Sequence, residues 1–181
     1  MVAHPIFTES IRRIRALLGE TGFDPLQQQV LERLVHSSGD PGLLPLLRFR
    51  DGACERGLEA LKNGALILTD TAMAAAAVTP MATRTLGTPV RCLLDWAPSQ
   101  SPPGSTRSAA AMQRAWPELT AAASTAGQSM PVVLVGSAPT ALEQLLDQVE
   151  DGAAAPSLVI GMPVGFVGVP ESKRRLAVTE L

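Results

Sequence analysis

His36 is the histidine best placed to move a proton in this chain, because the other one, His4, sits near the terminus. It closes an apolar stripe at helical spacing, Leu26, Val30, Leu31, Leu34 and Val35, which opens at Asp24-Pro25, a cap followed by proline at the first helical position. Ser37-Ser38-Gly39-Asp40-Pro41-Gly42 ends the stripe, so His36 falls at or near a helix C-terminus. The partial negative charge there favours imidazolium, which suits a proton donor near neutral pH. Arg33 precedes it by three residues, a spacing at which both side chains share a helix face and pair an acid with a carboxylate anchor. A histidine that only caps its helix is the plainer reading of the same residue.

Anion binding is the second chemistry the spacing allows. Between Pro156 and Lys173 the apolar run Leu158 to Ile160 reads as a buried parallel strand emptying into a turn with Gly161, Gly165 and Gly168, after which Glu171 opens a helix. Glycines admit a ligand close to the backbone, and the first turn of a helix leaves amide donors unpaired, so a phosphate or a carboxylate fits such a turn. Val132 to Val135 followed by Gly136-Ser137-Ala138-Pro139-Thr140 repeats the theme. A turn that only packs helix on strand has the same spacing.

The elements that must position these residues alternate. Thr8 caps a first helix with Ile11, Ile14, Leu17 and Leu18 on one face and Gly19 as its stop. Leu43 to Phe49 reads as a short strand or extended segment, and Asp51 caps a helix that ends at Asn63-Gly64. Ala65 to Thr69 and Val90 to Leu94 are strands, separated by a short alanine-rich helix over Asp70 to Ala77. Ser99 to Ser105 is a surface loop, and Thr106 to Trp116 a helix that Pro117 kinks or restarts. The helix after Gly136 carries Leu142, Leu145, Leu146 and Val149, while Ala121 to Ala126 and Ala153 to Ala155 read as linker. Short apolar strands alternating with helices give an α/β fold, a three-layer αβα arrangement with a mostly parallel sheet whose ligands bind at the strands' carboxyl ends.

Composition narrows the function classes. The 181 residues are 46% apolar with a net charge of −2, enough for one domain with a real core. Aromatics make up 3% with no tyrosine, and the basic residues form no stripe, which argues against nucleic acid. Cys54 and Cys92 lie far apart with no C-x-x-C spacing, so neither a metal site nor a disulfide framework is suggested and reduced thiols in a cytoplasmic protein are expected. No apolar run approaches the roughly 18 residues of a membrane helix.

Taken as a string, Ile-Gly-Met-Pro-Val-Gly-Phe-Val-Gly-x-x-Glu-Ser-Lys, ending at Lys173, resembles the signature of the precorrin-8X methylmutases of cobalamin biosynthesis. Further matches follow in the family's order. Ile6 to Ile11 resembles an Ile-Tyr-x-x-Ser-Phe segment containing Ser10, and Arg33-Leu34-Val35-His36 resembles Arg-x-Val-His. Gly64 to Met73, then Val78-Thr79, resemble Gly-Ala-x-Ile-x-x-Asp-x-x-Met and the Val-Thr beyond it. Thr106 to Ala111 matches Thr-Arg-Ser-Ala-Ala-Ala, and Gly136 to Leu142 matches Gly-Asn-Ala-Pro-Thr-Ala-Leu with Ser137 in place of Asn.

The resemblance implies a flavodoxin-like sheet, a homodimer, and an isomerase that moves a methyl group between neighbouring carbons of a corrin precursor without a cofactor. It implies His36 as the catalytic residue, and Ser10, Arg33, Thr79, Arg107, Gly136, Ser137, Gly161 and Gly165 as contacts to a tetrapyrrole with carboxylate arms. It also implies departures. Ala76-Ala77 replaces a glycine, one residue is added between Thr79 and Cys92, and residues 1–181 read as a single methylmutase-like domain lacking the family's last strand, glycine loop and helix. A non-catalytic corrinoid carrier and a flavodoxin-like anion or nucleotide binder are the alternatives.

Overall fold

The computed structural model of the chain describes residues 4–181, in two compact units that divide after Glu55. In the first unit α1 (Pro5–Leu18) and α2 (Pro25–Ser38) pack through Ile14, Leu31 and Val35, with Ile11, Leu18 and Phe23 around them. Helix α1 starts earlier than expected. Pro5 takes the first position and His4 is the cap, its Nδ1 accepting from the Ile6 amide at 3.2 Å, which leaves Thr8 inside the helix. Leu17, placed by periodicity on the apolar face, is exposed. Helix α2 begins as expected at Asp24, where a capping box with Gln27 closes the first turn, and Gly39 ends it in the left-handed conformation.

Between these helices lies a charged contact that apolar periodicity does not reveal. Glu32 is buried at 2% relative exposure and accepts from Arg15 at 2.7 and 3.0 Å and from Gln28 at 2.9 Å. The Arg15 guanidinium, with help from Gln28, outweighs burial and holds the Glu32 carboxyl below its ordinary range. The expected strand at Leu43 to Phe49 is instead a 3-10 turn over Pro41–Leu46 leading into irregular chain. Pro41 and Pro45 withhold amides that a strand would need, and Asp40 caps the turn through Gly42 at 2.8 Å.

The second unit, Arg56–Leu181, is an α/β layer structure. Strands β1 (Ile67–Thr69), β2 (Val90–Cys92), β3 (Val132–Val135) and β4 (Leu158–Gly161) form one sheet, all parallel, in the order β2-β1-β3-β4. That is a flavodoxin-like order, with the switch point between β1 and β3. Alternate residues of β3 serve different layers. Val133 and Val135 join Trp116, Met112, Leu142, Leu145 and Leu146 of α5 (Arg107–Ala126) and α6 (Pro139–Glu150), whereas Val132 packs with Ala60 and Leu61 of α3 (Ala53–Lys62). Trp116 is fully buried, and its Nε1 donates to the Ala154 carbonyl at 3.0 Å.

Several boundaries differ from the sequence reading. Helix α4 (Ala72–Thr85) runs on through Pro80, since a capped, alanine-rich helix tolerates one lost hydrogen bond. Pro117 likewise neither kinks nor restarts α5, whose buried face continues through Leu119 and Ala123, so Ala121 to Ala126 is helix and not linker. The predicted strand at Val90 ends at Cys92 and a 3-10 turn, Leu93–Trp96, follows. Strand β4 is an edge strand, half buried with Ile160 exposed, not the fully buried strand its composition suggests. Helix α7 (Val169–Val178) closes the chain against α6.

Candidate active site

In the first unit, Ser10 and His36 are brought together from α1 and α2, with Ser10 Oγ 2.8 Å from His36 Nδ1. Phe7, one turn before Ser10, sets its ring edge-on to the imidazole at 5.1 Å, and the Arg33 guanidinium stacks over that same phenyl ring at 4.1 Å. The sequence reading placed Ser10, Arg33 and His36 in one site but gave Phe7 no part. Its helical offset from Ser10 is the signal that would have found it, since residues three apart share a face. Arg33 and His36 are both exposed on one side of α2. Glu9, the residue before Ser10, is taken up by Arg12 and then Arg13, whose hydrogen bonds hold its carboxyl down to about 2.

The second unit gathers its residues at the carboxyl ends of the strands. The ladder between β3 and β4 runs on into both glycine turns, with the Met162 amide donating to Val135 at 2.8 Å and the Val164 amide to Gly136 at 3.3 Å. Gly136, Ser137, Gly161 and Gly165 therefore lie side by side. Thr106 and Thr140 tie the starts of α5 and α6 through hydroxyls 2.7 Å apart, which puts Arg107, the first residue of α5, at the same end. Arg107 Nε donates to the Pro98 carbonyl at 2.8 Å. Thr79 lies about two turns along α4, and its hydroxyl donates to Ala75 at 2.7 Å within the helix.

The two turns differ in what their amides do. At the first, the Ser137 and Ala138 amides, expected to be open to an anion, both donate to Asp70 Oδ2, at 2.6 and 2.7 Å. Around the second, no side chain caps α7, Gly165 adopts φ 135, and Val164, Phe166 and Val167 stand in solvent, Phe166 at 98% exposure. That φ strains any side-chain-bearing residue, so Gly165 is required by the path of the turn itself. Gly161 has a different cause. A Cβ there would collide with Leu176 and come within 3.3 Å of Leu142, so this glycine lets α7 and α6 pack on β4.

Cys54 is the second residue of α3, and Cys92 ends β2 in register with Thr69. Burial, then the nearby Asp24 and Glu55 carboxylates, pushes the Cys54 thiol up, the wrong direction for a nucleophile. Among the described residues no group of three His, Cys, Asp or Glu side chains is arranged to hold a metal ion, and no helix is long and apolar enough to cross a membrane.

The all-parallel sheet in flavodoxin-like order defines a class of α/β fold that takes its ligands at the carboxyl ends of the strands. Comparison with known proteins makes this particular. The family model for precorrin-8X methylmutase matches residues 5–181. A cobalt-precorrin-8 methylmutase of Synechocystis is 32% identical over 96% of this chain and 82% of its own length. A precorrin-8X methylmutase of Pseudomonas aeruginosa is 37% identical over 95% and 79%. The crystal structure of a precorrin-8X methylmutase from Thermus thermophilus superimposes with a TM-score of 0.77 at 37% identity, over 97% of this chain and 82% of that one. The chain belongs to the precorrin-8X methylmutase family, whose members are isomerases catalysing intramolecular methyl migration.

Proposed function

We propose that this chain isomerises precorrin-8X to hydrogenobyrinic acid, or cobalt-precorrin-8 to cobyrinic acid, with His36 as the general acid. The observation that carries the reading is the 2.8 Å contact between Ser10 Oγ and His36 Nδ1. With Ser10 donating to Nδ1, the ring proton resides on Nε2, the nitrogen available to a substrate. Phe7 limits rotation of the ring, and Arg33, stacked on Phe7, keeps its planar fork for a carboxylate arm of the macrocycle. His36 hydrogen-bonds or protonates a ring nitrogen, which draws electron density away as the methyl–carbon bond breaks at one ring position and forms at its neighbour. No electrons are gained or lost, and the proton returns to His36.

The reading also assigns substrate contacts within the second unit. Gly136, Ser137, Gly161, Gly165, Thr79 and Arg107 serve as contacts, and the exposed Val164, Phe166 and Val167 match the apolar face of a macrocycle. The free thiols of Cys54 and Cys92 are consistent with a cytoplasmic enzyme, and we take the working form to be a homodimer, which light scattering would measure.

The test is turnover with precorrin-8X and with its cobalt complex, followed by absorbance. His36→Asn lowers kcat by roughly 100-fold or more while hydrogenobyrinic acid still binds. Arg33→Ala and Arg107→Ala each weaken that binding by about 1.5–3 kcal/mol. A His36→Asn protein that keeps most of its rate removes the acid role. Binding without turnover in the wild type makes the chain a corrinoid carrier, and a flavin or nucleotide bound in place of the corrinoid makes it an anion binder.

A further inference from the structure

We propose that Asp70 is the positioning residue of the Gly136–Ser137 turn, and that its second carboxylate oxygen accepts a hydrogen bond only when substrate is seated. The proposal rests on the methylmutase reading of that turn. Asp70 follows β1 directly, is buried at 2% exposure, and donates its amide to Leu134 at 3.1 Å, so its backbone is fixed at the switch point between β1 and β3.

Helix α6 needs help at its start. Its cap residue is Ala138, which has no side chain to accept from the first amides. Asp70 supplies the missing acceptor from another strand, Oδ2 taking both the Ser137 and the Ala138 amide. The site that a substrate carboxylate was expected to occupy is thus filled by a carboxylate of the protein, and the helix dipole already faces a negative charge. A substrate arm is turned away from this turn's amides and must meet its exposed rim, Ser137, instead.

Capping alone does not explain the residue. One oxygen suffices for the cap, yet Oδ1 is also buried and accepts from no protein group. A buried carboxylate oxygen without a donor is costly, and native folds keep few of them. The arrangement makes sense if the turn shifts when substrate reaches Ser137, bringing a donor to Oδ1 while the pair of bonds at Oδ2 is kept. Asp70 touches no substrate in this scheme. It decides how firmly the turn that does so is held.

Asp70→Asn separates the two roles, because its carbonyl oxygen can still accept from both amides while an N–H group replaces Oδ1. The expected result, in protein shown by circular dichroism to be folded at the assay temperature, is a rise of roughly 10- to 100-fold in KM and in the Kd of hydrogenobyrinic acid, with a much smaller change in kcat. Wild-type KM and Kd in folded Asp70→Asn would reduce Asp70 to a cap and overturn the proposal. Amide hydrogen exchange in the wild type covers the case in which the variant does not fold. The Ser137 and Ala138 amides become more protected on adding hydrogenobyrinic acid, and unchanged protection at saturating ligand overturns the proposal equally. A wild type that binds no corrinoid removes the methylmutase reading and this inference together, whereas a wild type that binds it with Asp70→Asn unaltered removes this inference alone.

Discussion

The turns after β3 and after β4 are built from the same sequence plan, a short apolar strand, glycine and a proline-led helix, yet they end as opposites. The first is closed from within. Asp70 occupies its amides, α6 is buried along Ala141, Leu142, Leu145 and Leu146, and the Gly136 position opens onto empty space. The second is open. Its glycine at 161 is wedged under Leu176, its helix has no side-chain cap, and three large apolar side chains face solvent. Glycine spacing therefore reports that a turn is tight, not what the turn is for. Whether the amides of such a turn are open depends on a residue far off in sequence.

The sharpest test of this contrast is an exchange of glycines. Gly161→Ala forces a methyl group into Leu176 and Leu142, and overpacking of that kind costs about 1–3 kcal/mol. Gly136→Ala has no atom within 4 Å of the new Cβ and no positive φ to oppose it, so its stability shift is below about 0.5 kcal/mol. Urea melts of both variants check the pair. Equal losses would mean that the two turns are held alike.

Sequence patterns carried most of the framework because the forces that shape it are local. The Asp24-Pro25 start, the Gly39 stop and the helical offset of Arg33 and His36 are all settled within one turn of helix, whereas the family resemblance named Ser10 and His36 without pairing them and the structure adds their 2.8 Å contact. What remained hidden depends on distant partners. Nothing around Ser137 announces that Asp70, 67 residues earlier, takes its amide, and nothing near Glu32 announces Arg15, 17 residues away. The passage of α5 through Pro117 is of the same kind, since its long buried face offsets a local penalty.

A second, smaller effect separates how the two helices behind the turns are fastened. Helix α7 is held to α6 by Arg175, which reaches Glu143 at 2.5 Å, Asp147 at 2.7 Å and Glu150 at 2.7 Å. Hydrogen bonding from Arg175 holds the Glu150 carboxyl below its ordinary value of 4.5. A carboxyl lowered in the folded state contributes stability above that ordinary value and loses it as pH falls through the folded one, so acid loosens α7. Arg175→Met removes the clamp and, for a network of largely solvated pairs, lowers Tm by about 2–4 °C near pH 7. The same variant differs less from the wild type as pH falls from 4.5 through the lowered folded-state value, over which the contribution of the Glu150 pairing is lost. A difference that grows toward acid would mean that Arg175 acts through packing and not through charge.

The smallest effect on folding is expected at Phe166, and it bears most directly on the open turn. At 98% exposure the ring has almost no folded-state contact to lose, so Phe166→Ser shifts stability by less than about 0.5 kcal/mol. An exposed aromatic ring also gains little until something covers it. If a macrocycle lies against this turn, as the proposed function requires, the lost contact is worth about 0.5–1.5 kcal/mol, a rise of about 2- to 12-fold in the Kd of hydrogenobyrinic acid with Tm unmoved. The pairing of readouts matters more than either alone. A clear fall in Tm would mean that Phe166 packs within the folded protein and that the turn is not open. An unchanged Kd would mean that the macrocycle rests elsewhere, and the contrast between a closed turn that orients and an open turn that covers would lose its second half.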